Sequence, residues 1–182
     1  MYLMQETNLY TVTVPVFIKA LTSLDGMLDK VAAYAAAKGT ERRPAAYFEN
    51  ALLQSRLIAD QFPFVQQVQV TCDNAKGATA RISGVEMPKY EDNETTVAEL
   101  KARVEKTIAF LKTITAEQII GKEETKITVP YWNGKHLTAF EYVTEQVLPN
   151  FFFHLTTAYS ILRSNGIDIG KGDFIGGLPL KD

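Results

Sequence analysis

The strongest constraint on this chain is periodic: four long runs carry apolar residues at three- and four-residue steps, the spacing of a helix with one buried face. The first covers residues 14–38, with Val14, Phe17, Ile18, Leu21, Leu24, Leu28 and Val31 on one side, Pro15 in its first turn and Gly39 beyond its end. The second follows Pro63 and runs to about Ser83, with Val65, Val68, Cys72, Ala75, Thr79 and Ile82 as its packing face and Gly84 as its stop. The third, from Val97 to about Ile114, opens on Thr96-x-x-Glu99. In that pattern a hydroxyl and a carboxylate satisfy each other's free amides. Its buried positions are Leu100, Val104, Ile108 and Leu111, and a short extra turn follows from Thr115 to Gly121. The fourth opens on Thr138-x-x-Glu141 and ends at Ser164, before Asn165 and Gly166. Pro149 inside it predicts a kink or a local break. Because this helix is apolar around most of its girth, it is expected to be central and buried.

Between these runs lie two smaller features. Residues 44–53 suggest a short helix. Residues 126–138 hold two β-prone stretches around Asn133-Gly134, a pair that favours a tight hairpin, while Pro130 restricts the strand to an edge or an irregular form. A glycine-rich tail starts at Gly170. The expected architecture is therefore all-α, a four-helix bundle with a short β-hairpin before the last long helix, forming a single domain over residues 1–182. The long links before the second and the fourth helix permit crossovers.

Composition narrows the function. The formal charge of −2 comes without any basic run, which argues against a nucleic-acid partner. The most apolar stretch, residues 147–161, is interrupted by Pro149, Asn150, His154 and two threonines, so it is expected to be a buried helix and not a membrane span. The first ten residues lack the pattern of a secretory signal, and the single cysteine, Cys72, permits no intrachain disulfide. Together these give a cytoplasmic expectation. Cys72 is expected to be an inert core thiol.

The chemistry-bearing candidates are few, since the chain has only two histidines. His136 follows the Asn-Gly turn and is expected in solvent. His154 and Asn150, four residues apart on the fourth helix, share one face, and a buried polar pair needs partners. On the second helix Gln66, Gln69 and Asp73 form a polar stripe. Gln66 and Gln67 are expected to face water, and Gln69, between two valines, to face inward. If the two helices are neighbours, Gln69, Asp73, Asn150 and His154 converge in one polar pocket. The alternative is a hydrogen-bonded core network without a pocket. Tyr131 and Trp132 either line a pocket mouth or pack on the bundle.

Residues 148–166 (LPNFFFHLTTAYSILRSNG) resemble the fourth helix of the DinB/YfiT-like metalloenzyme superfamily, and more closely a bacterial branch of it described as a domain of unknown function. The likeness extends to VPVF at 14–17, FPFVQQVQV at 62–70, CDNAKG at 72–77, DNETT at 92–96 and GKGDFIG at 170–176. It implies a four-helix bundle, often dimeric, in which a nickel or zinc ion is held by three histidines. One comes from helix two and two from an H-x-x-x-H pair on helix four. Some relatives are thiol-dependent transferases or hydrolase-like enzymes. Here the degenerate triad positions are Gln69 (or Gln66), Asn150 and His154. Two amides replace imidazoles, and an amide oxygen is a poor substitute on zinc or nickel.

Three functional readings follow. The first is a metal-free polar pocket built on His154, which binds a small molecule or uses the imidazole as acid or base. The second is a divergent enzyme holding nickel or zinc at a weakened site. The third is a structural or interaction protein acting as a homodimer.

Overall fold

The computed structural model describes residues 7–181. Four long helices appear where the periodicity places them: α1 (Val14–Lys38), α3 (Phe64–Ser83), α4 (Val97–Leu111) and α5 (Leu148–Ser164). The short helix α2 spans Ala45–Leu53. Helix α3 packs against both α4 and α5, and α4 packs against α1. The Phe17 and Phe151 rings, 4.6 Å apart, join α1 to α5. The order around the bundle is thus α1, α4, α3, α5, and the two long connections carry the chain across its diagonals. One core unites them, with Phe17, Leu21, Leu24, Phe64, Val68, Leu100, Val104, Phe151 and Leu155 fully enclosed.

Local chemistry sets the helix ends. The Thr96 hydroxyl accepts from the Glu99 amide at 3.2 Å, and the Glu99 carboxylate accepts from the Thr96 amide at 3.0 Å. Thr138 and Glu141 repeat the arrangement at 3.2 and 2.9 Å. Gly84 ends α3 at φ 77°, a left-handed conformation that a side chain would strain. Helix α4 stops at Leu111, three residues earlier than expected, and Ile108 on it is only partly buried.

Pro149 acts upstream of itself. From Ala139 to Ser164 the chain is continuously helical, but Tyr142–Val147 is a π-helical segment in which the Leu148 amide donates to the Val143 carbonyl. Proline lacks an N–H and its ring crowds the carbonyl four residues back, which is that of Glu145. Widening the turn relieves the clash without breaking the helix. Nor is the fourth helix buried on all sides. Phe151, His154, Leu155, Ala158, Ile161 and Leu162 face inward, whereas Phe152 and Phe153 are 36% and 55% exposed. A helix at the corner of a bundle must keep one side toward solvent, however apolar its sequence.

The hairpin differs in form from the expectation. Strands β1 (Lys126–Ile127) and β2 (Leu137–Thr138) pair antiparallel, Lys126 opposite Thr138 and Ile127 opposite Leu137. The intervening loop is long, because Pro130 begins a 3₁₀ turn (Pro130–Trp132) instead of extending a strand. Asn133 and Gly134, at φ 53° and 81°, form the tight turn inside that loop, and Thr128 Oγ1 donates to the Lys135 carbonyl at 2.8 Å across its neck. The glycine-rich tail contains a short helix, α6 (Lys171–Ile175), docked on α1. Lys30 holds it there, pairing with Asp173 at 2.8 Å and donating to the Asp168 carbonyl at 2.9 Å.

Candidate functional site

Helices α3 and α5 are neighbours, as the pocket idea requires, but the residue of α3 that meets His154 is Gln67. His154 sits on the inward stripe of α5, and its Nδ1 lies 2.7 Å from Gln67 Oε1. The other end of that amide is committed, since Gln67 Nε2 donates to the Phe62 carbonyl at 3.0 Å. An amide oxygen only accepts, so Nδ1 carries the proton and Nε2 keeps a lone pair. Burial pushes the His154 pKa below its ordinary value, so the ring is neutral near pH 7. Nε2 makes no hydrogen bond among the described residues. Phe62 lies nearly parallel to the imidazole at 6.3 Å, and Phe153 stands edge-on at 5.1 Å. Both phenyl rings are about half exposed, so two apolar rings flank the buried imidazole on its solvent side.

Gln69 and Asp73 face the other way, into a second polar cluster between α3, α4 and the link of residues 84–96. Its centre is Arg103, whose side chain is fully buried. Nη1 donates to Glu94 Oε1 at 2.9 Å and to the Glu91 carbonyl at 3.1 Å. Nη2 reaches Asp73 at 2.8 Å and Asp92 at 2.9 Å. Gln69 donates to the other Glu94 oxygen at 2.8 Å, and Lys76 pairs with Asp73 at 2.9 Å. The Tyr90 ring receives Lys76, Lys106 and Arg103 at 4.3, 4.0 and 5.3 Å. Burial opposes the Glu94 charge, but the Gln69 amide and the Arg103 guanidinium donate to it, and the net result is a carboxyl below its ordinary range. These contacts tie Tyr90, Glu91, Asp92 and Glu94 of the link to the bundle, and the cluster acts as a clamp.

The expected four-residue convergence therefore divides. His154 is buried and bonded to Gln67; Gln69 and Asp73 belong to the Arg103 cluster. Asn150 is half-buried and forms no side-chain hydrogen bond among the described residues, and Gln66 is also half-buried. His136 is exposed, and Cys72 is completely buried, its thiol pushed up to about 12 by desolvation. The sequence reading missed Gln67, Arg103 and Glu94. A signal for two of them existed. Gln67 lies at the helical spacing of Phe64, Val68, Thr71 and Cys72, and Arg103 at that of Leu100, Val104, Thr107 and Leu111. A polar residue on an apolar stripe is a buried polar residue.

The donors at the degenerate triad do not suit a nickel or zinc ion. Of Gln69, Asn150 and His154, the first is turned to Glu94, the second offers an amide, and the third has Nδ1 committed to Gln67. Among the described residues no group of three or more histidine, cysteine, aspartate or glutamate side chains is placed to hold a metal ion.

Residues 9–175 match the model of a family described as a domain of unknown function, DUF1993. A crystal structure of a DinB family member protein from Shewanella denitrificans is 40% identical to this chain and superposes with a TM-score of 0.88, covering 96% of this chain and 95% of that one. No curated protein matches. No helix among the described residues is long and apolar enough to cross a membrane. With the family model spanning most of the sequence and the bundle shared almost end to end, the chain belongs to the DUF1993 family and has the DinB-like fold.

Proposed function

We propose that this protein is a metal-free, small-molecule-binding member of the DinB-like group in which His154 serves as the acid–base group. The observation that carries the reading is the fixed tautomer of His154. Gln67 is itself anchored on the Phe62 carbonyl and accepts from Nδ1, leaving Nε2 as an oriented, neutral base beside exposed Phe62 and Phe153. A histidine held this way can accept a proton from a ligand hydroxyl, thiol or amine, and the phenyl rim favours a ligand with an apolar part. The donor set at the triad positions supports chemistry without a bound metal.

The test is a thermal-shift screen of small molecules on protein prepared with and without exhaustive chelation. Ligands that stabilise both preparations equally, and lose their effect in a folded His154→Gln variant, support the reading. Stabilisation that disappears on chelation and returns with nickel or zinc refutes it in favour of the metal-dependent alternative.

A homodimer is proposed as well, because the α1–α5–α6 face carries an apolar groove of about 320 Å³ lined by Val16, Ala20, Phe152, Leu155, Phe174 and Ile175. Sedimentation equilibrium decides it, since Phe152→Glu shifts a dimer of this kind to monomer.

A further inference from the structure

The link of residues 84–96 crosses the groove between α3 and α4 with little to hold it except charge. It contains no helix or strand, and no backbone–backbone hydrogen bond joins residues 85–95 to the bundle among the described residues. None of its residues is buried as a whole, and Val85 packs only partly against the core. Its other anchors are side chains, and most of them converge on Arg103. A segment with few buried apolar contacts opens at lower cost than the packed helices beneath it.

The groove under the link is cationic. Helix α3 supplies Lys76, which is 5% exposed, and α4 supplies the fully buried Arg103 and Lys106. On these two helices the carboxylate that meets them is Asp73, so the link covers an excess of positive charge with Tyr90, Asp92 and Glu94. All three cations lie on the one Tyr90 ring, at 4.0–5.3 Å. A neutral phenol offers each of them only its quadrupole, while the three like charges repel one another. A ring that carries a negative group satisfies them better. Arg103 has a further unmet need, since its Nε is sealed from solvent and has no hydrogen-bond partner among the described residues. A buried donor left unpaired is costly. Its Nη atoms each take single oxygens, so the two-point pairing through Nε and Nη that one carboxylate or phosphate can make is unused.

We propose that this groove is a binding site for a small aromatic anion, a ring bearing a carboxylate or phosphate, and that residues 84–96 are an autoinhibitory strap whose Tyr90 and Glu94 occupy it as an internal surrogate. When the strap lifts, the ligand ring takes the place of Tyr90 between Lys76 and Lys106. Its anionic group takes the place of Glu94 and pairs with Arg103 through Nε and Nη. The site uses none of the residues around His154, so it stands or falls independently of the acid–base reading above.

The experiment is calorimetric titration of the full-length protein with phenyl phosphate at fixed ionic strength, beside inorganic phosphate. In the wild type the strap competes and binding is weak. Tyr90→Ala removes the surrogate ring and should bind phenyl phosphate at least about tenfold more tightly, with a dissociation constant at or below about 1 mM. Asp92→Asn, at a side chain that is 61% exposed and tolerant of change, loosens the strap by another route and should also tighten binding. Adding Lys106→Gln, at an exposed position, to Tyr90→Ala should weaken it again. Displacement of the strap has its own readout, because phenyl phosphate should saturably accelerate tryptic cleavage after Lys89 in the wild type. Affinity no higher in either strap variant than in the wild type overturns the proposal. So does equal affinity for inorganic phosphate and phenyl phosphate, or binding that Lys106→Gln leaves unchanged.

Discussion

Replacing Arg103 by methionine tests the logic of the clamp most directly. The side chain is fully buried and meets three carboxylates of very different exposure: Asp92 at 61%, Asp73 at 39% and Glu94 at 5%. Asp92 and Asp73 can turn to water, so losing the cation costs about 0–1 kcal/mol for each of those pairs. Glu94 is far less free to do so, and keeps the Gln69 amide and a backbone N–H but no cation. Stranding a buried charge costs about 3–5 kcal/mol, a large share of the roughly 5–15 kcal/mol that holds a domain folded. Adding Glu94→Gln removes the stranded charge, so the double variant should recover part of the loss, with a coupling of about 1–3 kcal/mol. Urea unfolding followed by circular dichroism measures each corner of the cycle. Acid adds a second readout. The folded Glu94 pKa lies below the unfolded one, so its stabilisation is complete above the unfolded value and is lost as pH falls through the folded value. Removing Arg103 takes away a hydrogen bond and a positive charge that lower the Glu94 pKa, so the folded value rises and this residue's loss of stability in acid should shrink. A loss under about 1 kcal/mol in Arg103→Met, or strict additivity in the cycle, would refute the reasoning.

Other outcomes follow from the remaining sites. His154, with its folded pKa depressed by burial, gives stability that is complete above the unfolded histidine value of about 6.5 and declines as pH drops through the folded value; His154→Gln should flatten the stability profile in that window, as read by thermal melts from pH 7.5 to 5. Gln67→Leu removes the acceptor that fixes the ring and should cost about 1–3 kcal/mol, and it should shift the ¹⁵N resonances of His154 away from a single Nδ1–H tautomer. Cys72 should resist a thiol reagent in the native protein and react fully only in denaturant, because its thiol is enclosed and its pKa is pushed up to about 12. Thr138→Ala removes a cap whose hydroxyl accepts from Glu141 N, at a cost of about 0.5–2 kcal/mol in the same urea experiment.

What the sequence alone determined is what depends on near neighbours along the chain. Helical spacing located α1, α3, α4 and α5; Thr96 and Thr138 marked two helix starts; Gly84 marked an end; Pro149 marked the distortion that became a π-helical segment. Each of these effects acts within a turn or two, and its cause is visible in a few consecutive residues. Tertiary structure decided the pairing of polar side chains across helices. Three glutamines stand at positions 66, 67 and 69, and a rotation of about 100° between successive residues sends them in different directions. Only the packing angle of α3 against α5 and α4 turns Gln67 to His154 and Gln69 to Glu94, and the same packing buries Arg103 where periodicity would favour a hydrophobe.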